Sequence, residues 1–305
     1  GYHMSLKIDL IGATTAFGQG KPGVTFGPDA LRIAGIVEML EQNGHTVTDV
    51  GNIIGNYPHN YTKQNIKVTD DLKNLDEVRD YSEALAKATS SSVENNKFPL
   101  TIGGDHSLAL GSLSGIAPHY DNLGVIWFDA HGDLNTAETS PSGNIHGMIL
   151  AELLGVGNEK LTSVNGFNAK LNFENVVLIG VRDLDDGEKE LIKEKNILTF
   201  SMSDVRELGL NEILNRTLKH LEHTDGLHLS FDVDSIDPME VKGTGTKVPG
   251  GLFTSEVIMF MEELSKTNKL TSMDLVEVNP LLDEENKTAE TAVHVTEYLF
   301  GKRTK

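Results

Sequence analysis

Short apolar runs alternate with longer segments of helical period along nearly the whole chain. The eight apolar runs are LKIDLIG, TVTDVG, FPLTIGG, LGVIWFD, NVVLIGVRD, ILTFS, GLHLSFDVD and LTSMDLVEV. Amphipathic spacing between them predicts helices over residues 28–43, 76–88, 185–195, 210–220, 255–266 and 288–299. Because strands that alternate with helices build βαβ units, the pattern predicts an α/β fold with three α/β/α layers and a mainly parallel eight-stranded sheet.

The length of 305 residues is normal for one large α/β domain. No linker, low-complexity tract or internal repeat interrupts the pattern, so residues 4–305 are predicted to form a single domain. The tripeptide GYH at residues 1–3 precedes Met4 and is interpreted as a cloning remnant outside that domain.

Charge and composition exclude several classes of partner and chemistry. The formal net charge of −19 argues against nucleic acid or an anionic membrane as a partner. No apolar run approaches the ~20 residues of a membrane span. The chain has no cysteine, which excludes disulfides and thiolate catalysis and favours a reducing, cytoplasmic location.

Carboxylates and imidazoles collect where the predicted strands end. Asp129, His131 and Asp133 alternate directly after LGVIWF, and if the strand continues through them all three side chains point to one side. Ligands of open α/β sheets bind outside the carboxyl ends of the strands. Glu277 follows another predicted strand. The candidate metal ligands at these ends are His106, Asp129, His131, Asp133, Asp232 and Asp234.

This donor set has a chemical preference. Imidazoles and carboxylates without thiolates suit Mn, Fe, Co or Ni better than structural zinc. Six protein ligands exceed the need of one ion, whereas two ions bridged by carboxylates explain the surplus and generate hydroxide at neutral pH. Four aspartates, two divalent ions and one hydroxide leave a charge of about −1, and Glu277 makes it about −2, so the site favours a cationic substrate and rejects phosphate esters.

Simpler roles are predicted for other polar residues. A single aspartate after a strand usually forms a turn or caps a helix, and Asn144, just before the helix-like IHGMILAELLG, is predicted to be an N-cap. Isolated histidines are interpreted as ordinary hydrogen-bonded residues: His45, His59, His119, His220, His223, His228 and His294.

Five motifs in a fixed order carry a family resemblance. GGDHS, DAHGD, SFDVDSIDP, GTGT and EVNP together resemble the ureohydrolase superfamily of binuclear manganese enzymes. The resemblance runs from FGQGKPGVTFGPDALR near the start to NKTAETAV near the end, and the loop NTAETSPSGNIHG resembles the arginase family in particular. Membership would imply hydrolysis of L-arginine to L-ornithine and urea by attack of a metal-bridging hydroxide on the guanidinium carbon.

The resemblance also implies how two Mn²⁺ ions are held, with Asp129 and Asp232 as bridging ligands. One ion would take His106, Asp129, Asp133 and Asp232. The other would take His131, Asp129, Asp232 and Asp234.

Substrate contacts are implied in the same way. Asn135, Ser140 and Ser142 would bind the α-carboxylate of L-arginine, while Asp185 would face its α-amino group with Asp183 in support. Neutral donors for a carboxylate and an acid for an ammonium group are suitable chemistry.

At the reacting end, Glu277 would pair with the guanidinium nitrogens and Thr246 would lie close by. Asp133 would deliver a proton to the leaving amine. His146 resembles a proton shuttle, for which an imidazole that titrates near neutrality is suited.

One position departs from the family pattern. Residues 251–256 read GLFTSE where many arginases have GLTYRE, so Ser255 replaces an arginine that makes subunit contacts in trimeric relatives. A homo-oligomer, trimeric or hexameric, is expected by analogy alone.

Three alternatives remain open. An agmatinase or guanidino-acid hydrolase would share the metal centre but leave the loop of residues 135–146 and Asp185 without a role. A zinc deacetylase of related fold would keep one metal and lack the second ligand set. A non-enzymatic binding protein would normally lose ligands, because unpaired buried carboxylates are costly.

Overall fold

Eight parallel strands form the central sheet of the computed structural model, which describes residues 4–19, 22–54 and 68–304. Their order is β2-β1-β5-β10-β9-β6-β7-β8, and every neighbouring pair is parallel. The strands are β1 (Lys7–Ala13), β2 (Thr46–Ile53), β5 (Phe98–Gly103), β6 (Leu123–Phe128), β7 (Val176–Val181), β8 (Leu198–Ser201), β9 (Gly226–Asp232) and β10 (Ser272–Val276). The predicted α/β fold with an eight-stranded sheet is confirmed.

Helices cover both faces of this sheet. They are α1 (Gly27–Ile33), α2 (Ile36–Gln42), α3 (Leu75–Glu94), α4 (Leu108–Ile116), α5 (Ile149–Leu153), α6 (Glu159–Thr162), α7 (Asp186–Lys195), α8 (Met202–Leu208), α9 (Leu210–His220), α10 (Thr254–Lys266) and α11 (Lys287–Leu299). A separate two-stranded hairpin pairs β3 (Val68–Thr69) with β4 (Leu72–Lys73). No described helix is long and apolar enough to cross a membrane.

The side chains of one strand supply two separate cores, because successive residues of a strand point to opposite faces. In β6, Ile126 and Phe128 belong to the core that includes Phe260 of α10. Val125 and Trp127 belong to the opposite core, with α4 and α5. Burial on both faces explains why the β6 segment reads as a continuous apolar run.

Two predicted helices differ from the structure. The helix predicted over residues 28–43 is divided into α1 and α2, because Gly35 adopts a left-handed φ of 94° between them. The helix predicted over residues 76–88 extends to Glu94. Helix α4 lacked an amphipathic signal because all nine of its residues are buried.

Strand β6 ends at Phe128, so the condition under which Asp129, His131 and Asp133 would all point to one side of a strand is not met. Residues 129–144 leave the sheet as a loop, with an isolated bridge between His131 and Asp183. Asp133 has a left-handed φ of 51°, which a strand cannot accommodate. The alternating side chains are therefore brought together by a turn and by contacts with other strands.

Candidate metal centre

Four neighbouring strands deliver the candidate residues to one place. His106 follows β5, Asp129 follows β6, Asp232 is the last residue of β9 and Glu277 follows β10. Strands β5, β10, β9 and β6 are adjacent at the centre of the sheet. Because all run parallel, their carboxyl ends meet at one edge, where ligands of such sheets bind.

The imidazole of His106 faces three carboxylates. Its Nδ1 atom lies 3.1 Å from Asp129 Oδ2, 3.0 Å from Asp133 Oδ2 and 3.4 Å from Asp232 Oδ2. These four residues are buried. One face of the ring also stacks on Trp127, with centroids 4.1 Å apart and planes 6° from parallel. The stacking and the contacts at Nδ1 together fix the orientation of the ring.

A second group surrounds His131. Its Nδ1 atom lies 3.0 Å from Asp234 Oδ2 and 3.4 Å from Asp129 Oδ1. Asp129 thus directs one oxygen toward each histidine. The Oδ1 atom of Asp234 accepts the Ala130 backbone N–H at 3.2 Å, which fixes its carboxylate.

The residues fit a pair of metal ions. Two groups of three residues each have their ligand atoms within 4.8 Å of one another. The first group is His106, Asp129 and Asp232, and the second is Asp129, His131 and Asp234, so Asp129 belongs to both. Within the described residues, His106 Nδ1 and Asp129 Oδ2 are buried without a hydrogen-bond partner. Such atoms are costly to leave unsatisfied, and a bound cation satisfies both at once.

Crowding of carboxylates raises the cost of a metal-free centre. Burial and the Asp129 carboxylate raise the pKa of Asp133 to about 6. Burial, Asp129 and Asp234 raise the pKa of Asp232 well above its usual range. The pKa of Asp234 is lowered instead, because His131 outweighs its burial. Divalent cations among these oxygens would reverse the penalty and hold the acids ionised.

Glu277 is held by groups from three parts of the chain. Its Oε1 atom accepts from Gln19 Nε2 at 3.1 Å, and its Oε2 atom accepts from the His106 backbone N–H at 2.9 Å. His146 Nδ1 lies 3.2 Å from Oε2. Burial lowers the pKa of His146, but the hydrogen bond to Glu277 outweighs it, so the net direction is upward.

A pocket of about 70 Å³ opens between these groups. It is lined by His131, Asp133, His146, Gly147, Asp232, Asp234, Thr246 and Glu277. Thr246 Oγ1 also donates to Asp234 Oδ2 at 3.4 Å. The acidic lining and small size suit a compact cationic group.

The predicted readers of the α-amino-acid end lie outside that pocket lining. Asn135 Nδ2 donates to Asp185 Oδ2 at 2.8 Å, so these two are brought together. Ser140 Oγ accepts from the backbone of residues 142 and 143, and Ser142 Oγ accepts from the Asn144 N–H. Asp183 has a side chain 61% exposed and lies 3.7 Å from His131 Nε2.

Glu188 connects the two parts of the site. Its Oε2 atom accepts the Leu134 N–H at 2.9 Å, and its Oε1 atom accepts the Asp185 N–H at 3.0 Å as part of the capping box of α7. Burial raises its pKa to about 7, against the effect of both hydrogen bonds. The spacing of Asp185 and Glu188 fits a capping box, but the contact of Glu188 with Leu134 joins residues 54 apart in the sequence and no local pattern predicts it. The contact of Gln19 with Glu277 joins residues 258 apart and is likewise invisible to a local pattern.

The simpler predictions have mixed outcomes. Asn144 occupies the N-cap position of the 3-10 helix Ile145–Met148, as predicted, but its side chain makes no capping hydrogen bond. Its φ and ψ are extended, as at an N-cap, while its N–H is held by Ser142. Four histidines are hydrogen-bonded as interpreted, namely His45, His119, His223 and His228. His59 lies outside the described residues.

Comparisons with known proteins agree with this geometry. The model of the Arginase family matches residues 6–301. The arginase of Bacillus subtilis (strain 168) is 48% identical over 300 residues, covering 98% of this chain and 99% of that protein. The arginase of Staphylococcus aureus (strain MSSA476) is 50% identical over 300 residues, covering 97% of each. The native structure of Bacillus caldovelox arginase has a TM-score of 0.94 at 46% identity, covering 98% of this chain and 100% of that one.

Proposed function

The chain belongs to the arginase family, and we propose that its centre holds two Mn²⁺ ions and with them hydrolyses L-arginine to L-ornithine and urea. The observation that carries the proposal is the pair of ligand groups that share Asp129, adjacent to a buried glutamate. Oxygen and imidazole donors without thiolates match the preferences of Mn²⁺.

Ligands are assigned by proximity and by family resemblance. His106, Asp133 and Asp232 would hold one ion and His131 and Asp234 the other, with Asp129 between them. The geometry supports Asp129 as a bridge, because its two oxygens face different histidines. Asp232 is proposed as the second bridge by resemblance. Its Oδ1 atom also accepts the Asp234 N–H at 2.9 Å, which orients the carboxylate.

When bound, the ions would supply a hydroxide nucleophile at neutral pH. The chain's own residues would orient the guanidinium group toward it. We assign to Glu277 the charged pairing with the guanidinium nitrogens, a contact that planar guanidinium groups favour. Gln19 and the His106 N–H hold that carboxylate in place, so little reorganisation is needed on binding.

Proton movement is assigned to Asp133 and His146. Asp133 lines the pocket and would deliver a proton to the leaving amine. His146 also lines the pocket, and its side chain is 15% exposed, so it can exchange protons with solvent. A positioned imidazole of this kind contributes general acid–base catalysis.

The distal loop would recognise the amino-acid end of the substrate. Asn135, Ser140 and Ser142 supply neutral polar groups for a carboxylate, and Asp185 supplies an acid for the α-ammonium group, with Asp183 nearby. An α-amino acid uses all of these, whereas agmatine has no carboxylate. This loop therefore favours L-arginine over agmatine as the substrate.

Urea release by manganese-reconstituted protein tests the function, with L-arginine and agmatine assayed side by side and a chelated control. Metal-dependent urea from L-arginine alone is the expected result. Preference for agmatine would contradict the roles of the distal loop. If protein with two bound metal ions released no urea from either substrate, the proposed activity would be contradicted and a binding role favoured.

We propose one domain over residues 4–305 and a homo-oligomer, trimeric or hexameric, that acts in the cytoplasm. Continuity of the central sheet supports the single domain. The exposed Phe253, packed under Arg206 at 5.0 Å, supplies apolar surface beside Ser255 for subunit contact. A stable monomer in sedimentation equilibrium would contradict the oligomer.

A further inference from the structure

A chain of buried polar side chains runs behind the metal centre, away from the pocket. His106 Nε2 lies 2.8 Å from Ser230 Oγ, which lies 3.4 Å from Asp274 Oδ2. The same Asp274 oxygen lies 2.8 Å from His228 Nε2. On its other side, Asp274 Oδ1 accepts from Ser112 Oγ at 2.6 Å. All five residues are buried, and Asp274, Ser112, Ser230 and His228 are completely inaccessible.

The direction of each hydrogen bond in this row of side chains follows from its central acceptor, the Asp274 carboxylate. An ionised carboxylate can only accept hydrogen bonds, so Asp274 accepts one each from Ser112 Oγ, Ser230 Oγ and His228 Nε2. The hydroxyl of Ser230 has a single proton, which is directed to Asp274. Its oxygen must therefore accept from His106, and the proton of that imidazole lies on Nε2.

In the neutral imidazole, placement of the proton on Nε2 leaves the lone pair of Nδ1 available to a metal ion. Nδ1 is the atom that faces Asp129, Asp133 and Asp232, and it has no hydrogen-bond partner among the described residues. A neutral imidazole binds metal through the nitrogen that lacks the proton, and the partner of the other nitrogen decides which one that is.

We propose that Ser230 and Asp274 are positioning residues that set the tautomer of His106 for metal binding. The inference rests on the proposed role of His106 as a metal ligand. Stacking on Trp127 fixes the plane of the ring, while Ser230 fixes its rotation within that plane and the position of its proton. Only the ion proposed to bind His106 depends on this row of hydrogen-bonded side chains, because His131 contacts a different set of groups.

Two serine variants separate this role from simple support of the core. Ser230→Ala removes the acceptor of the His106 proton, whereas Ser112→Ala removes a buried serine that contacts the same aspartate but not His106. The number and affinity of bound Mn²⁺ ions are measured by dialysis against graded free Mn²⁺. Low-temperature electron paramagnetic resonance distinguishes a coupled manganese pair from a single ion.

We expect Ser230→Ala to bind one ion as the unchanged protein does and the other about 10- to 100-fold more weakly, the usual cost of an outer partner of a metal ligand. Ser112→Ala should retain both ions. Two ions of unchanged affinity in Ser230→Ala, or equal losses in the two variants, would overturn the inference.

Two further measurements keep the outcomes separate. If Ser230→Ala does not fold by circular dichroism, Ser230→Cys decides, because its thiol has similar size but accepts hydrogen bonds weakly, and one ion should again bind more weakly. Failure of the unchanged protein to bind two Mn²⁺ ions, or unchanged metal content in His106→Asn, would instead contradict the proposed metal centre itself.

Discussion

The two halves of the loop after β6 are held in different ways. In residues 129–133 the polar side chains contact side chains that follow or end other strands: Asp129 contacts His106, and His131 contacts Asp234. In residues 135–144 the hydroxyls contact the loop's own backbone, as where Ser140 accepts from residues 142 and 143. The first half is organised by the sheet and the second by local turns.

The difference has an energetic side. Residues 129–133, the half proposed to bind metal, concentrate negative charge in a buried place, where burial and neighbouring carboxylates raise the pKa of Asp133 and Asp232. Cations are needed to make that arrangement favourable. The distal half carries few charges and is more exposed, so it needs no ion to be stable. Substitutions in the two halves should therefore fail in different ways.

Loss of Asp232 should have the largest effect. Asp232→Ala removes a carboxylate shared by the proposed ligand sets, so metal content should fall. Turnover should fall by more than the roughly 10- to 100-fold loss that follows removal of a hydrogen-bond partner of a metal ligand. Metal analysis and urea release measure both. Asp225→Ala, at the opposite end of β9, is the matched control. Two metals per chain with near-normal activity in Asp232→Ala would refute its assignment as a bridge.

Loss of His146 should separate chemistry from metal binding. His146→Ala leaves every proposed ligand in place, so two ions should remain bound while kcat falls by about 10²- to 10⁴-fold, the range for a general acid–base group. Steady-state kinetics and metal analysis on one preparation test this. His119→Ala, a surface histidine bonded to Ser90, should behave as the unchanged protein. A lost metal in His146→Ala would place His146 in the metal site instead.

Loss of charge at Asp185 should affect recognition alone. Asp185→Asn retains a side chain able to cap α7 but removes the charge for the α-ammonium group. KM for L-arginine should rise about 10- to 100-fold, as expected for loss of a charged hydrogen bond. Metal content should stay at two ions. The neighbouring Asp186→Asn serves as control, and equal KM values in the two variants would argue against this role.

The smallest effect is expected at Glu188 and appears in stability against pH. Its pKa is raised from 4.5 to about 7 in the folded chain, mainly by burial, so the folded state binds this proton more tightly than the unfolded state does. Protonated Glu188 therefore stabilises the folded state at low pH. This contribution to the free energy of unfolding, about 1–3 kcal/mol, is lost as the pH rises from about 4.5 to about 7.

Urea unfolding of Glu188→Gln and of the unchanged protein at pH 5 and pH 7.5 measures that loss. The stability of the unchanged protein relative to the variant should fall between the two pH values. The exposed Glu190→Gln should show no such change. A constant difference between Glu188→Gln and the unchanged protein would mean that Glu188 ionises at the same pH in both states.

Residues at strand ends were predictable because topology alone brings them together. Apolar runs reveal the strands, and parallel strands place Asp129, Asp232 and Glu277 at one edge whatever the details of packing. Ser230 and Asp274 lie inside the runs that predicted β9 and β10. Their contact depends on the register Asp274↔Ser230 between those strands, which no period along a single strand reveals.

The conformation of the loop after β6 could not be predicted from the spacing of its polar residues either. Alternation of Asp129, His131 and Asp133 suggested a longer strand, yet the chain turns at a left-handed Asp133. Glu277 has a left-handed φ of 72° as well. Non-glycine residues in this conformation are sustained by their surroundings, here by buried contacts with His106 and Trp127. Such conformations follow from tertiary contacts and not from local preference.

The order of strands in the sheet bears on how the protein is made. Strand β10 is the last in the chain, yet it lies between β5 and β9 at the centre. During synthesis the earlier strands emerge from the ribosome first, but the middle of the sheet stays open until β10 arrives. His106 and Asp232, which flank that gap, come into register only then. The proposed metal site should therefore form only near the end of translation, after β10 has been made.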